Sequence, residues 1–246
     1  MSAMASVLAV FAHPDDESLA AGGALALSAA RGHRVSLLCL THGEGRCRVT
    51  ADPVETAQIR SRELAEASHC LGIGTVRLSD FRDGYLPWED EDEVRSHIRA
   101  MIHDVQATVV VTFDRDGLYW HPDHIAVHDR VMEVAAAMGA ASPAVYCVTM
   151  PHGRLRDVAG GRPVLGIAAE AFGADAPEPT WRLSVAEVFG VKTEALRRHR
   201  SQLVDDPLDT ASPVQMLTAL GMEYYRYARP GTGGTDWQRS LESRHD

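Results

Sequence analysis

Two short clusters carry the residue types that a metal-assisted hydrolysis needs. One is HPDDE, His13 to Glu17; the other is HPDH, His121 to His124. The first ends the apolar run VLAVFA, and the second follows TVVVTF after the segment DRDGLYW. Helix capping explains an Asp or two near a helix start. It does not explain His13, and crowded carboxylates raise one another's energy unless a cation sits among them. Two neutral imidazoles and a carboxylate leave a fourth position open for water, the pattern of catalytic zinc. Octahedral magnesium would ask for more oxygen ligands. His13 and Asp16, like His121 and His124, are three apart, a spacing that lets two side chains converge where a strand becomes a helix.

The elements that must position these clusters are legible as an alternation. Val7–Ala12, Val35–Thr41, Val76–Asp80, Thr108–Phe113 and Ala144–Thr149 are short apolar runs, as strands covered on both faces should be. Helical stretches fall between them: Ser18–Arg31, Val54–Leu71, Asp90–Val105 and Pro122–Met138, with Gly32 and Gly72 at C-terminal positions. This order predicts an α/β fold, a Rossmann-like and mostly parallel sheet flanked by helices. In such a sheet the first and fourth strands are neighbours at the topological switch point, which would bring the two clusters together. Dinucleotide binding does not follow, because the first turn is HPDDE rather than GxGxxG, and no Walker loop is present.

Residues 150–180 turn Gly- and Pro-rich and read as a long surface excursion, suited to a lid or specificity region. Periodicity returns in VAEVFGVKTEALRRHRSQL as one amphipathic helix and in EYYRYAR as a strand. The expected organisation is a single domain over residues 1–228 with a loosely held C-terminal tail, 229–246.

Composition narrows the function classes. The 246 residues, 45% hydrophobic and 24% charged, can bury a proper core. A net charge of −10 argues against generic affinity for nucleic acid or anionic membrane, and 6% aromatics do not make a base-stacking platform. Cys39, Cys47, Cys70 and Cys147 show no CxxC spacing and read as reduced, Cys39 and Cys147 as strand core. The N-terminal apolar run is too short for a signal peptide and lacks basic residues; no stretch reaches membrane-spanning length. A cytoplasmic location is the expectation, and a homo-oligomer is left open.

AHPDDE after the first strand, HPDH after the fourth, and RSREL at 60–64 resemble the PIG-L/LmbE family of zinc-dependent N-deacetylases, and KTEALRRHRSQ (192–202) resembles its late helix. The resemblance implies His13, Asp16 and His124 as ligands of one Zn2+, Asp15 as general base, and a charged His121 at the developing oxyanion, oriented by Asp123. It implies a small-molecule substrate, an N-acyl (N-acetyl) amino sugar or glycoconjugate. Arg60 corresponds to a family Arg that reaches the substrate's polar end, although pairing with Glu63 would be a structural alternative. Asp83 in FRDGYL corresponds to a family acid that binds sugar hydroxyls, or else forms a turn before Gly84. Glu44 in THGEGR is placed at the mouth or in plain loop.

The chain departs from the family pattern at Trp120, where many relatives carry Gly. Its indole would narrow the pocket or stack on a sugar face. Tyr119 is assigned either a catalytic part near the reacting carbonyl or a place in the pocket wall. His128, four after His124, is the less favoured ligand, and His42 lacks a spaced partner. His33, His69, His97, His103, His152, His199 and His245 read as surface residues. Two other readings stay open: an amidase of a bulkier thiol-cofactor conjugate, and a non-catalytic metal-dependent sugar-binding protein, against which the presence of Asp15 argues.

Overall fold

A computed structural model describes residues 4–231 and 234–242. Its centre is a seven-stranded sheet in the order β3-β2-β1-β4-β5-β7-β6. The strands are β1 Ser6–Phe11, β2 Arg34–Thr41, β3 Thr75–Phe81, β4 Val109–Phe113, β5 Ala144–Thr149, β6 Trp181–Ser184 and β7 Met222–Arg229. The first five run parallel, and β7 lies antiparallel to both β5 and β6. Every residue of β1, β4 and β5 is buried, which is why these runs are continuously apolar rather than alternating.

β1 pairs with β2 on one side and β4 on the other, with Val7 opposite Val109 and Ala9 opposite Val111. The two strands therefore end side by side, and the chain leaves each at the same edge of the sheet. From β1 it enters α1 (Asp16–Ala30), buried on almost every side, hence its small residues AAGGALA. From β4 it passes a four-residue turn, Gly117–Trp120, and enters α4 (Pro122–Ala137). Helices α2 (Pro53–Leu71) and α3 (Glu91–Asp104) complete the crossovers.

The structure departs from expectation in the later chain. The expected helix over 185–203 is broken: α5 (Phe189–Arg198) stops at His199, whose φ and ψ of −78° and 54° are not helical, and a short turn of helix, Arg200–Leu203, follows. Strand β6 was not expected; only Trp181 and Leu183 of its four residues face inward. Residues 150–180 do form a long excursion, with one short helix at Arg156–Ala159 and an isolated bridge between Val164 and Ile167. The expected loose tail is corrected over Gly234–Glu242, a helix in which Trp237 and Leu241 are buried. Its anchor is physical: the Trp237 indole N–H donates to Ser28 Oγ of α1 at 2.9 Å, and its ring packs edge-on against Tyr146 and Trp181. The rest of that tail at 232–233 and 243–246, with His245, lies outside the described residues.

Candidate active site

The ends of β1 and β4 bring His13, Asp16 and His124 face to face. His13 Nδ1 and His124 Nε2 are 3.2 Å apart, His124 Nε2 and Asp16 Oδ1 3.3 Å, and His13 Nδ1 and Asp16 Oδ2 3.5 Å. A tetrahedral ion with bonds of about 2.0–2.1 Å has ligand–ligand edges of roughly 3.3–3.4 Å. The far side of each imidazole is fixed as a ligand's should be. His124 Nδ1 donates to the Gly117 carbonyl at 3.1 Å, leaving its Nε2 lone pair for the cluster. His13 Nε2 faces two carboxylates, Asp123 and Asp83, each at 3.0 Å, so its proton belongs there and the Nδ1 lone pair turns inward. Gly117 at φ 56° admits this close approach, since a Cβ there would lie 3.1 Å from that of His124. The three residues fit a divalent transition metal.

The electrostatics follow from how closely these groups are packed. Burial works against charge on His13, yet hydrogen bonds to Asp123, Asp16 and Asp83 carry its pKa well above the imidazole range. Burial would raise Asp16, but His124 and His13 hold it well below the carboxylate range.

Asp15 faces the same cleft but is not part of the triad. It sits at the α1 N-cap with φ 117°, a left-handed conformation costly for a non-glycine residue, and its side chain makes no cap bond. Its carboxylate instead meets Arg60 Nη2 at 3.2 Å. Burial pushes its pKa up to about 6, against the lowering pull of Arg60. The strained residue is held from both sides: Arg60 donates to the Pro14 carbonyl, and the Asp15 N–H donates to Glu17 Oε2 at 3.1 Å.

His121 is the N-cap of α4, with Pro122 at the first helical position. Its Nδ1 accepts the Asp123 backbone N–H at 3.2 Å, which assigns the ring proton to Nε2. Burial, then the nearby His124 and His13, push its pKa down to about 4. Two expectations change here. His121 is a neutral N–H donor at pH 7 rather than a cation. The Asp123 carboxylate does not orient it, because that carboxylate accepts from Gly84 N, Leu86 N and His13.

Tyr119 lies edge-on to His121 and His124 at 5.6 and 5.2 Å and lines the cleft, its pKa raised by burial and by Asp16 and Asp15. The cleft measures about 340 Å³, within the range of small-ligand sites. The residues read as substrate-binding divide. Arg60 lines the cleft but is buried and committed to Gly43, Pro14 and Asp15; it does not pair with Glu63, which holds Ser201. Asp83 also lines it, with Oδ1 on His13 and Oδ2 accepting from Gly45 N at 2.9 Å. Burial would raise the Asp83 pKa, but His13 holds it below the carboxylate range. Glu44 is outside the cleft lining and accepts the Asp83 N–H at 2.8 Å. Trp120, 55% exposed, is also outside it and donates to Asp175 at 3.0 Å.

His199 and His33 correct the surface reading. His199 is fully buried, 2.7 Å from Glu17 Oε1, and His33 is buried between Ala5 N and Ser240. His97 is half-buried on Ser79, whereas His69, His103 and His152 are exposed. A Glu at the close of HPDDE, too deep for solvent, was the available signal that a cationic partner was needed. His42 is held by Ser61 and Asp80, away from the triad. His128 lies behind His124 in a group with Asp114 and Cys147. The Asp114 carboxylate there is already gripped by Arg226 at 2.6 and 2.8 Å, and His128 Nδ1 donates to the Phe113 carbonyl. All four cysteines are free. Among the described residues no helix is long and apolar enough to cross a membrane.

The sheet order and the paired strand-end clusters define an α/β protein with a candidate metal site at the switch point of its sheet. The chain belongs to the PIG-L family, described as GlcNAc-PI de-N-acetylase, which it matches over residues 8–135. It is 35% identical over 224 residues to the probable N-acetyl-α-D-glucosaminyl L-malate deacetylase 2 of Bacillus cereus, covering 89% of this chain and 93% of the relative. It is 31% identical over 276 residues to the 1D-myo-inositol 2-acetamido-2-deoxy-α-D-glucopyranoside deacetylase of Salinispora arenicola, covering 96% and 90%. In fold it is similar to the N,N'-diacetylchitobiose deacetylase of Pyrococcus horikoshii, with a TM-score of 0.68, 20% identity, and 90% and 82% of the two chains covered.

Proposed function

We propose that this enzyme hydrolyses the acetamide of an N-acetylated amino sugar joined to a small conjugate, releasing acetate and the free amine. The observation that carries the reading is the triad of inward lone pairs at 3.2–3.5 Å with Asp15 beside it in the same cleft. The relatives' names supply the substrate class. His13, Asp16 and His124 would hold one zinc ion. Such an ion supplies a Lewis acid that makes water more acidic and draws electron density from an amide carbonyl.

The chain's own residues then divide the work. Asp15 takes the proton of the attacking water; its raised pKa makes it a stronger base than an ordinary carboxylate, and its conjugate acid delivers the proton to the leaving amine. Arg60 keeps that carboxylate aimed into the cleft. His121 Nε2–H donates to the oxygen that gains charge as the carbonyl becomes tetrahedral, with its ring held by the Asp123 N–H. Tyr119 closes the wall beside it.

Acetate release from N-acetylglucosaminyl conjugates tests the reading. Activity should disappear with a chelator and return with zinc. Turnover that survives complete metal removal, or no acetate from any N-acetylated sugar or conjugate by metal-loaded protein, would sink it.

A further inference from the structure

We infer that Arg46 forms an anion-binding subsite in the cleft, so that the preferred conjugate carries a carboxylate or phosphate beyond its acetamide. This rests on the deacetylase reading above and narrows its substrate class. Two arginines line the cleft, Arg46 and Arg60. Arg60 is buried and spent on the Gly43 and Pro14 carbonyls and on Asp15. Arg46 is exposed, and of its five guanidinium N–H groups one donates to the Leu165 carbonyl. It is the cation with donors to offer a ligand.

Its position is built rather than incidental. Val164 and Ile167 bridge as a minimal hairpin whose turn residues, Leu165 and Gly166, have φ of 47° and 73°. That left-handed pair is the backbone of a tight two-residue turn and turns the Leu165 carbonyl to Arg46. Gly166 suits the turn because its φ of 73° strains an L side chain, and with no Cβ it lets the Arg46 guanidinium approach its backbone closely. From the other side, the Arg46 carbonyl accepts Gln202 Nε2 at 3.1 Å. The hairpin has its own anchor, since the Leu165 N–H donates to Asp206 Oδ2 at 2.6 Å. A preorganised guanidinium is suited to two-point binding of an oxyanion.

The charge of the cleft gives the subsite its purpose. At the triad end Asp15, Asp16 and Asp83 are already engaged by Arg60, His124 and His13, which leaves that end to the neutral acetamide, whereas the Arg46 guanidinium donates only to a carbonyl and can receive a negative group. A ligand with its acetamide at the triad and its negative charge at Arg46 meets both demands.

The test compares kcat/KM for three N-acetylglucosaminides, the malate, the 1-phosphate and the neutral methyl glycoside, in zinc-loaded wild type, Arg46→Ala and Arg46→Lys. The wild type should prefer an anionic member; which one it prefers identifies the oxyanion. Arg46→Ala should lower the anionic-to-neutral ratio by about 10–100-fold, the worth of hydrogen bonds to a charged group, chiefly through KM. Arg46→Lys should restore part of the ratio, and added salt should erode it in wild type but not in Arg46→Ala. Loss of all three activities in parallel, or a wild type indifferent to charge, would overturn the subsite. If no glycoside is cleaved, the deacetylase reading fails instead; calorimetric binding of the malate glycoside that Arg46→Ala abolishes would still uphold the subsite.

Discussion

The two strand ends that meet in the cleft are held by different means. At β1, the segment His13–Glu17 is fixed by side chains from far along the chain: Arg60 on Asp15, Asp83 and Asp123 on His13, His199 on Glu17. At β4, His124 and His121 are fixed by backbone groups of their own segment, the Gly117 carbonyl and the Asp123 N–H. The difference follows from charge. Three successive carboxylates, Asp15, Asp16 and Glu17, must each find a cation or a donor as they leave water; the segment's own N–H groups reach Asp16 and Glu17, and the cations come from elsewhere in the chain. The two imidazoles of the second end each take one backbone partner from their own segment. The first end is therefore sensitive to substitutions at a distance, and the second to substitutions within itself.

Removing a triad member should have the largest effect. Asp16→Ala and His124→Ala should both come out of purification with little zinc by elemental analysis and without measurable deacetylation, and high zinc should rescue His124→Ala in part. Full metal content in Asp16→Ala would remove it from the ligand set. Next comes Asp15→Asn, which should keep its metal and lose about 10²–10⁴-fold in kcat, as for a general acid–base group; a metal-free Asp15→Asn protein would exchange its role with that of Asp16. His121→Ala, on the self-contained side, should retain metal and lose about 10²–10³-fold in kcat with KM little changed. Asp83→Asn tests reach across the cleft: it should weaken zinc affinity by about 10–100-fold through the orientation of His13, measured by competition with a chelating dye. The smallest effect is expected for Phe113→Leu, which removes the ring stacked 3.8 Å from His124 but leaves the Gly117 bond. Zinc affinity within a few-fold of wild type would fit local backbone control, and a loss matching that of Asp83→Asn would blur the contrast between the two ends.

Much of this was legible because burial on both faces leaves a plain trace in β1, β4 and β5, whereas the edge strand β3, expected to be covered on both faces, is mostly exposed. The five parallel strands fell within a residue or two of their expected places, since VLAV, VSLLCL and VVVTF have no other low-energy location. That HPDDE and HPDH would meet followed from strand order alone. What escaped was written in partners rather than patterns. β6 is four residues long at an edge, too short for alternation to stand out. The buried station of His199 depends on Glu17, 182 positions away. Asp83 and Asp123 serve His13, and no spacing rule joins residues 70 and 110 positions apart. The tail looked loose because its helix offers little beyond Trp237 and Leu241 to bury, yet those two suffice to seat it.

One consequence concerns the chain as a polymer. His13 and His124 are 111 residues apart in sequence and touch across the β1–β4 junction. An ion held by both, as proposed above, would be in effect a reversible cross-link that closes a loop of nearly half the polypeptide. Such a closure restricts the unfolded ensemble by an amount that grows with the logarithm of loop length. The proposed metal would thus also be a clasp on the topology, and its concentration would set how firmly the first half of the sheet stays shut.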